Sequence, residues 1–158
     1  MNRIFSVLVE NRSGVLNKVA GLFARRCFNI DSLAVGETDD KDVSVMTIVS
    51  SGTPQLLEQI EKQLNKKLDV IKVKTFEHSQ AVTRELMLIK VKYNKNNRRD
   101  IMETCEIMNA QIVDMSKTLM MIQICDTPEK IKLMIGMLNE ISIVEVARTG
   151  TLALAKCE

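Results

Sequence analysis

Ile4 to Val9 is an apolar run broken only by Ser6, and its length is that of one strand. After a short polar turn, Val15, Leu16, Val19, Ala20, Leu22 and Phe23 recur at helical spacing. They leave Asn17, Lys18, Arg25 and Arg26 for solvent. Ile30–Val35 and Val43–Val49 predict two strands joined by the turn-rich Gly36-Glu37-Thr38-Asp39-Asp40. Thr53 and Pro54 then predict a helix start, a hydroxyl cap followed by proline at the first helical position, with Leu56, Leu57, Ile60 and Leu64 as the buried stripe. Val70–Phe76 predicts a further strand, so the order is β-α-β-β-α-β.

The second half repeats this order. Leu86–Val91 predicts a strand, and Ile101, Met102, Cys105 and Met108 mark a helix. Gln111–Met115 and Leu119–Ile124 form a hairpin, and Thr127-Pro128 caps a helix with Ile131, Met134, Ile135 and Leu138 inside. Ile143–Ala147 is the last predicted strand. The polar stretch from Glu77 to Thr83 divides the halves, which places the domains at residues 1–77 and 78–158. The predicted fold class is α+β: two tandem ferredoxin-like βαββαβ domains, each an antiparallel sheet with two helices on one face. That arrangement leaves the second sheet face open, where Ile4 and Leu8 would lie. An exposed apolar face of this kind predicts a homodimer.

Composition narrows the functional classes. In 158 residues, 22 Lys and Arg offset 20 Asp and Glu, and aromatics are 3% with no Trp. Neither an electrostatic footprint nor a stacking platform for nucleic acid is present. No apolar run has membrane-spanning length, and the strand pattern begins at once without a signal-like segment. Cys27, Cys105, Cys125 and Cys157 are far apart and form no CxxC pair, which predicts reduced thiols and a cytoplasmic protein.

Candidate chemistry concentrates at Asn11-Arg12-Ser13-Gly14-Val15-Leu16, between the first strand and the first helix. Gly14 allows a tight turn. The N–H groups of Gly14, Val15 and Leu16 then fall at a helix N-terminus, where they lack intrahelical partners and the helix dipole favours an anion. A small carboxylate suits such a site, and an ordinary polar turn would read the same way. The matching junction of the second half, Asn94-Lys95-Asn96-Asn97-Arg98-Arg99, has no glycine, so a ligand site would belong to the first half.

Catalytic and metal-binding material is sparse. His78, the one histidine, falls in the predicted linker as a solvated side chain. No Cys/His cluster has metal-ligand spacing. Asp39-Asp40-Lys41-Asp42 lacks the alternating ligands of a calcium loop and predicts a hairpin turn. Arg25-Arg26 sits where the helix dipole favours cations. No catalytic and no metal-binding residue is assigned.

The strings FSVLVENRSGVLNKVAGLFARRCFNIDSLAVG, VSVMTIV, LLEQIEKQL, RELMLIKV and IVEVARTG together resemble the small regulatory subunits of acetolactate synthase, also called acetohydroxyacid synthase. The resemblance covers essentially the whole chain. It implies an N-terminal ACT domain that binds the end-product amino acid, usually valine, and a C-terminal domain that helps engage the large catalytic subunit. By resemblance Asn11 contacts the effector, the amides of Gly14, Val15 and Leu16 receive its carboxylate, and Asn29 and Ile30 contribute from a neighbouring ACT domain. Cys27 departs from the pattern, since relatives often have Gly there, a left-handed helix stop. The chain itself would carry no cofactor; thiamine diphosphate, Mg²⁺ and FAD would belong to the large subunit. The resemblance implies activation of that subunit and feedback inhibition in branched-chain amino acid biosynthesis. The alternatives are a free-standing ACT-type sensor of another enzyme or of gene expression and, less well matched, a small acylphosphatase-like hydrolase, for which no Arg-containing phosphate loop is present.

Overall fold

The computed structural model describes residues 1–139, 141 and 143–157; the side chain of His78, and with it the expectation of a solvated histidine, lies outside the described residues. The chain forms two compact units, Met1–Val82 together with Thr151–Glu158, and Thr83–Gly150. The expected domains, 1–77 and 78–158, differ from these units chiefly in the C-terminal segment, which groups with the first unit.

In the first unit β1 (Asn2–Glu10), α1 (Val15–Arg25), β2 (Ser32–Glu37), β3 (Val43–Ser51), α2 (Pro54–Asn65) and β4 (Val70–Phe76) follow in order. The antiparallel sheet has the strand order β2-β3-β1-β4. Alternation along β1 sends Phe5, Val7 and Val9 to the helix face, where Phe5 lies opposite Ile48 and Val7 opposite Met46. Val15, Val19, Leu22 and Phe23 of α1 and Leu57, Ile60 and Leu64 of α2 close this core. The predicted stripes differ at their margins: Leu16 is 45% exposed, and Ala20 and Leu56 are half-buried. The Thr53 hydroxyl accepts from the Leu56 N–H at 3.3 Å, with Pro54 at the first helical position, as its sequence predicts.

The open sheet face is where expectation and structure part. Ile4 is fully buried, in a cluster with Val49, Ala81 and Ala153. Ala153 belongs to β9 (Leu152–Ala155), a strand absent from the prediction. Leu8 is half-buried. The expected linker is shorter than its composition suggests: after Glu77 comes a 3-10 turn at His78–Gln80, and β5 (Ala81–Lys92) begins directly. β9 pairs with β5, and the Lys156 N–H donates to the Gln80 carbonyl at 3.0 Å.

The second unit continues with α3 (Arg98–Ile107), β6 (Gln111–Met115), β7 (Leu119–Asp126), α4 (Pro128–Leu138) and β8 (Ile143–Arg148). The strand order β6-β7-β5-β8 repeats that of the first unit. Met87, Ile89 and Val91 lie opposite Ile124, Ile122 and Met120, and face Ile101, Cys105, Ile131, Met134 and Leu138. Burial pushes the Cys105 thiol pKa up, so this cysteine is core packing rather than a nucleophile. At one end Glu85, 3% exposed, accepts two parallel bonds from Arg148, at 2.7 Å from Nε and 2.9 Å from a terminal nitrogen. The hydrogen-bonded carboxylate raises the guanidinium pKa above its ordinary value.

Both helices that follow a first strand end in the same way. Phe28 N–H reaches back to Phe23 O at 3.0 Å and Cys27 N–H to Ala24 O at 3.2 Å, with Cys27 at φ 53°. Ala110 N–H reaches Cys105 O at 2.8 Å and Asn109 N–H reaches Glu106 O at 3.2 Å, with Asn109 at φ 52°. These are Schellman stops, and the first carries the usual apolar contact, Phe23 edge-on to Phe28 with ring centroids 6.1 Å apart. Cys27 therefore adopts the left-handed conformation that a glycine would take. Asn tolerates that conformation and Cys does not, so relief of the strain in Cys27→Gly should raise stability by about 1 kcal/mol, read as a shift of the urea midpoint.

Arg148→Met should act in the opposite direction. It strands a buried carboxylate and should cost about 3 kcal/mol in urea unfolding, at the lower end of the range for broken buried pairs because Arg148 is itself partly in water. The double variant Glu85→Leu/Arg148→Met should recover most of that loss.

Candidate functional site

The turn from β1 into α1 is built around Gly14. Its φ of 87° is left-handed, which lets the chain leave an extended strand and enter a helix within four residues. A Cβ placed on Gly14 would meet nothing within 4 Å, so the space in front of the turn is open. No side chain caps α1, and no acidic residue occupies its first turn. Among the described residues the N–H groups of Gly14, Leu16 and Asn17 have no protein partner, while that of Val15 donates to Arg12 O at 3.2 Å. The unpartnered set is thus Gly14, Leu16 and Asn17, with Val15 held in the turn and its side chain buried. Asn17 escaped sequence reasoning because its side chain reads as solvent-facing and only its backbone matters here.

An ion pair lies on each side of the turn. Arg12 pairs with Glu10 at 3.4 Å, and Lys18 pairs with Asp69 at 2.9 Å. Asn11 is tied down through its Nδ2, which donates to Lys41 O at 2.8 Å and to Glu37 Oε1 at 3.2 Å. Its Oδ1 is left to accept. Asn11 therefore joins the end of β1 to the β2–β3 hairpin, whose tip is closed by the side chains of Thr38 and Asp40 bonding to backbone groups of Asp40, Asp42 and Val43, as a hairpin and not a cation loop. Free amides on one side and an Asn carbonyl beside Glu37 on the other match the two ends of a zwitterion. Glu37 was not foreseen, because only pairing of β2 with β3 brings it to Asn11. A depression of about 310 Å³, lined by Glu10, Arg12, Asp42, Val43 and Ile71, shares Arg12 with this turn.

Asn29 and Ile30 lie past the other end of α1. Eleven helical residues separate them from the turn, about 16 Å of rise. Asn29 donates through Nδ2 to Asp31, which also accepts from Ser51 Oγ, and Ser50 Oγ donates to Asn29 O at 2.6 Å. One copy of the chain does not bring Asn29 and Ile30 together with Asn11, Gly14, Val15 and Leu16.

The equivalent turn of the second unit is closed on itself. Asn94 Oδ1 accepts from the N–H groups of Asn96 at 2.8 Å and Asn97 at 3.1 Å, and Asn97 Oδ1 accepts from Asn94 N–H at 2.7 Å. Asp100 places a carboxylate in the first turn of α3. The Asn97 amide, which matches that of Gly14, is thereby taken, and the helix dipole already meets a carboxylate. Among the described residues no group of three or more His, Cys, Asp or Glu side chains is placed to hold a metal ion, and no helix is long and apolar enough to cross a membrane. None of the four cysteines is paired.

A βαββαβ sheet opening through a left-handed glycine onto uncapped helical amides defines the class of the first unit, an ACT domain: residues 5–72 match the family described as the AHAS small subunit-like ACT domain. Residues 84–157 match the family described as the small subunit of acetolactate synthase. The chain belongs to the acetolactate synthase small-subunit family. It is 43% identical to the acetolactate synthase isozyme 3 small subunit of Salmonella typhimurium, over 99% of this chain and 96% of that one. Identity to the acetolactate synthase small subunit of Mycolicibacterium smegmatis is 45%, over 96% and 89% of the two chains. The crystal structure of the small subunit from Thermotoga maritima superposes with a TM-score of 0.93 at 36% identity, covering 100% of this chain and 99% of that one.

Proposed function

We propose that this chain is the regulatory subunit of an acetolactate synthase, which activates a large catalytic subunit and confers feedback inhibition by valine. The observation that carries the effector reading is the contrast between the two turns: the first presents three unpartnered amides behind a left-handed glycine with no acidic residue in the first helical turn, whereas in the second Asn94 Oδ1 takes the Asn97 amide and Asp100 already places a carboxylate there. The effector's carboxylate meets the amides of Gly14, Leu16 and Asn17. Its ammonium meets Asn11 Oδ1 and Glu37, and half-exposed Leu16 supplies an apolar wall for a branched side chain.

Asn29 and Ile30 complete the site from a second copy. β2 is an edge strand with Val35 46% exposed, and pairing it antiparallel with itself carries residue 29 of one copy past Glu37 of the other, toward Asn11. Homodimerisation and effector binding are then one equilibrium, and valine shifts the assembly by its differential affinity for two states. The chemistry of joining two 2-oxoacids, with thiamine diphosphate, Mg²⁺ and FAD, belongs to the large subunit.

Purified chain given pyruvate, thiamine diphosphate and Mg²⁺ should show background turnover only, and addition of large subunit should restore activity above that of the large subunit alone. Turnover by the chain itself would overturn the regulatory reading.

Gly14→Asp tests the site. Asp tolerates a positive φ better than most residues and suits a helix N-terminus, so the fold is retained at about 1 kcal/mol of backbone strain. The new carboxylate occupies the amides and repels that of the effector. Loss of one or two charge-assisted bonds, about 1.5–3 kcal/mol each, weakens valine at least about tenfold. Gly14→Asn adds the same strain without charge and should lose less. The reconstituted enzyme should be activated normally and resist valine; retained sensitivity in Gly14→Asp would remove this turn from the site.

A further inference from the structure

The segment Asn29–Ser32 is fastened at several points, and all but one lead to its own sheet. Asp31 N–H donates to Val49 O at 2.8 Å, Ser50 Oγ donates to Asn29 O, and Asp31 accepts from Ser51 Oγ. The remaining attachment is Ser32 Oγ, which accepts from the backbone N–H of Thr151 at 2.8 Å. Thr151 is 5% exposed and is the first residue of the C-terminal segment that belongs to the first unit. Immediately before it, Gly150 takes φ 81°, and Thr149 and Arg148 are anchored within the second unit: Thr149 N–H to Leu86 O at 3.0 Å, Thr149 Oγ1 from Leu86 N–H at 3.1 Å, and Arg148 on buried Glu85.

We propose that the Ser32–Thr151 hydrogen bond is a latch that carries effector occupancy from the Asn29–Ser32 segment to the chain crossing at Gly150–Thr151. The inference rests on the proposed effector reading, in which Asn29 and Ile30 touch the ligand. Ser32 lies two residues beyond Ile30, so a ligand seated on Ile30 bears on it directly. The acceptor is a serine hydroxyl, whereas the nearby N–H groups of Thr149 and Lys156 donate to backbone carbonyls. A hydroxyl can leave by one χ1 rotation without breaking any sheet bond, and it then leaves a buried N–H unsatisfied. Such a contact has two discrete states, which is what transmission of a binding event requires. Ser32 is thus a positioning residue and not part of the ligand's contact set.

The test uses full-length chain reconstituted with large subunit, with valine as the probe and Ser32→Ala, Ser32→Val and Ser32→Thr as variants. Basal activation should be unchanged in all three. Calorimetric valine affinity of Ser32→Ala and Ser32→Val should stay within about threefold of the parent, while the valine concentration for half-inhibition rises about fivefold or more. Ser32→Thr, which keeps the hydroxyl, should behave as the parent, and Ser32→Val, with the same branching and no acceptor, should not. Hydrogen exchange at the Thr151 amide should respond to valine in the parent and be fast regardless of valine in Ser32→Val. Inhibition of Ser32→Ala and Ser32→Val at the parental valine concentration would overturn the latch, and so would loss of valine binding in parallel with inhibition. Failure of the parent chain to bind valine would instead overturn the effector reading itself.

Discussion

The first unit depends on a constraint at one residue. α1 must lie on the sheet to cover Phe5, Val7 and Val9, yet only four residues separate it from the end of β1. The chain reverses within that distance because Gly14 is left-handed at φ 87°. As the N-cap, glycine also brings no side chain to the first helical turn, and among the described residues the amides of Gly14, Leu16 and Asn17 are unpaired. The fold and the unpaired amides come from one residue. In the second unit the reversal is made by Asn94 and Asn97, whose carboxamides bind the amides of the turn itself, and Asp100 sets a carboxylate in the first helical turn. Two copies of one architecture therefore differ in how far the turn is satisfied from within.

Much of this was legible in the chain. Apolar-rich segments of strand length placed β1, β4 and β6, and helical spacing placed all four helices. Thr53-Pro54 and Thr127-Pro128 marked two helix starts, because a hydroxyl cap and a proline without an N–H each suit a position the helix leaves unsatisfied. What could not be read was which groups of the turn are already occupied. Nothing in the order of residues says that Val15 N–H is taken by Arg12 O, that Leu16 is turned outward, or that Glu37 reaches Asn11. These follow from φ at Gly14 and from strand register, both set by tertiary pairing.

The open sheet face is the larger lesson. An apolar pattern at Ile4 and Leu8 says that a surface must be covered, and association was the expected cover. Ile4 is instead covered by Ala81 and Ala153 of the same chain. Leu152-Ala-Leu-Ala is too short and too small-sided to announce a strand, and its partner lies some 70 residues back in β5. Sequence proximity had assigned those residues to the wrong neighbour. At Cys27 the reverse holds: nothing in a cysteine announces a left-handed helix stop, yet the backbone takes the conformation a glycine would have taken.

The return of residues 151–156 to the first unit also orders events during synthesis. Ile4 and Val49 are made early, but Ala153 leaves the ribosome only after the whole of Thr83–Gly150 has done so. Until then one face of the first unit remains uncovered while the nascent chain is still being extended. A domain that stands first in the chain is thus the last to be finished, and the second unit must fold in the presence of an incomplete predecessor.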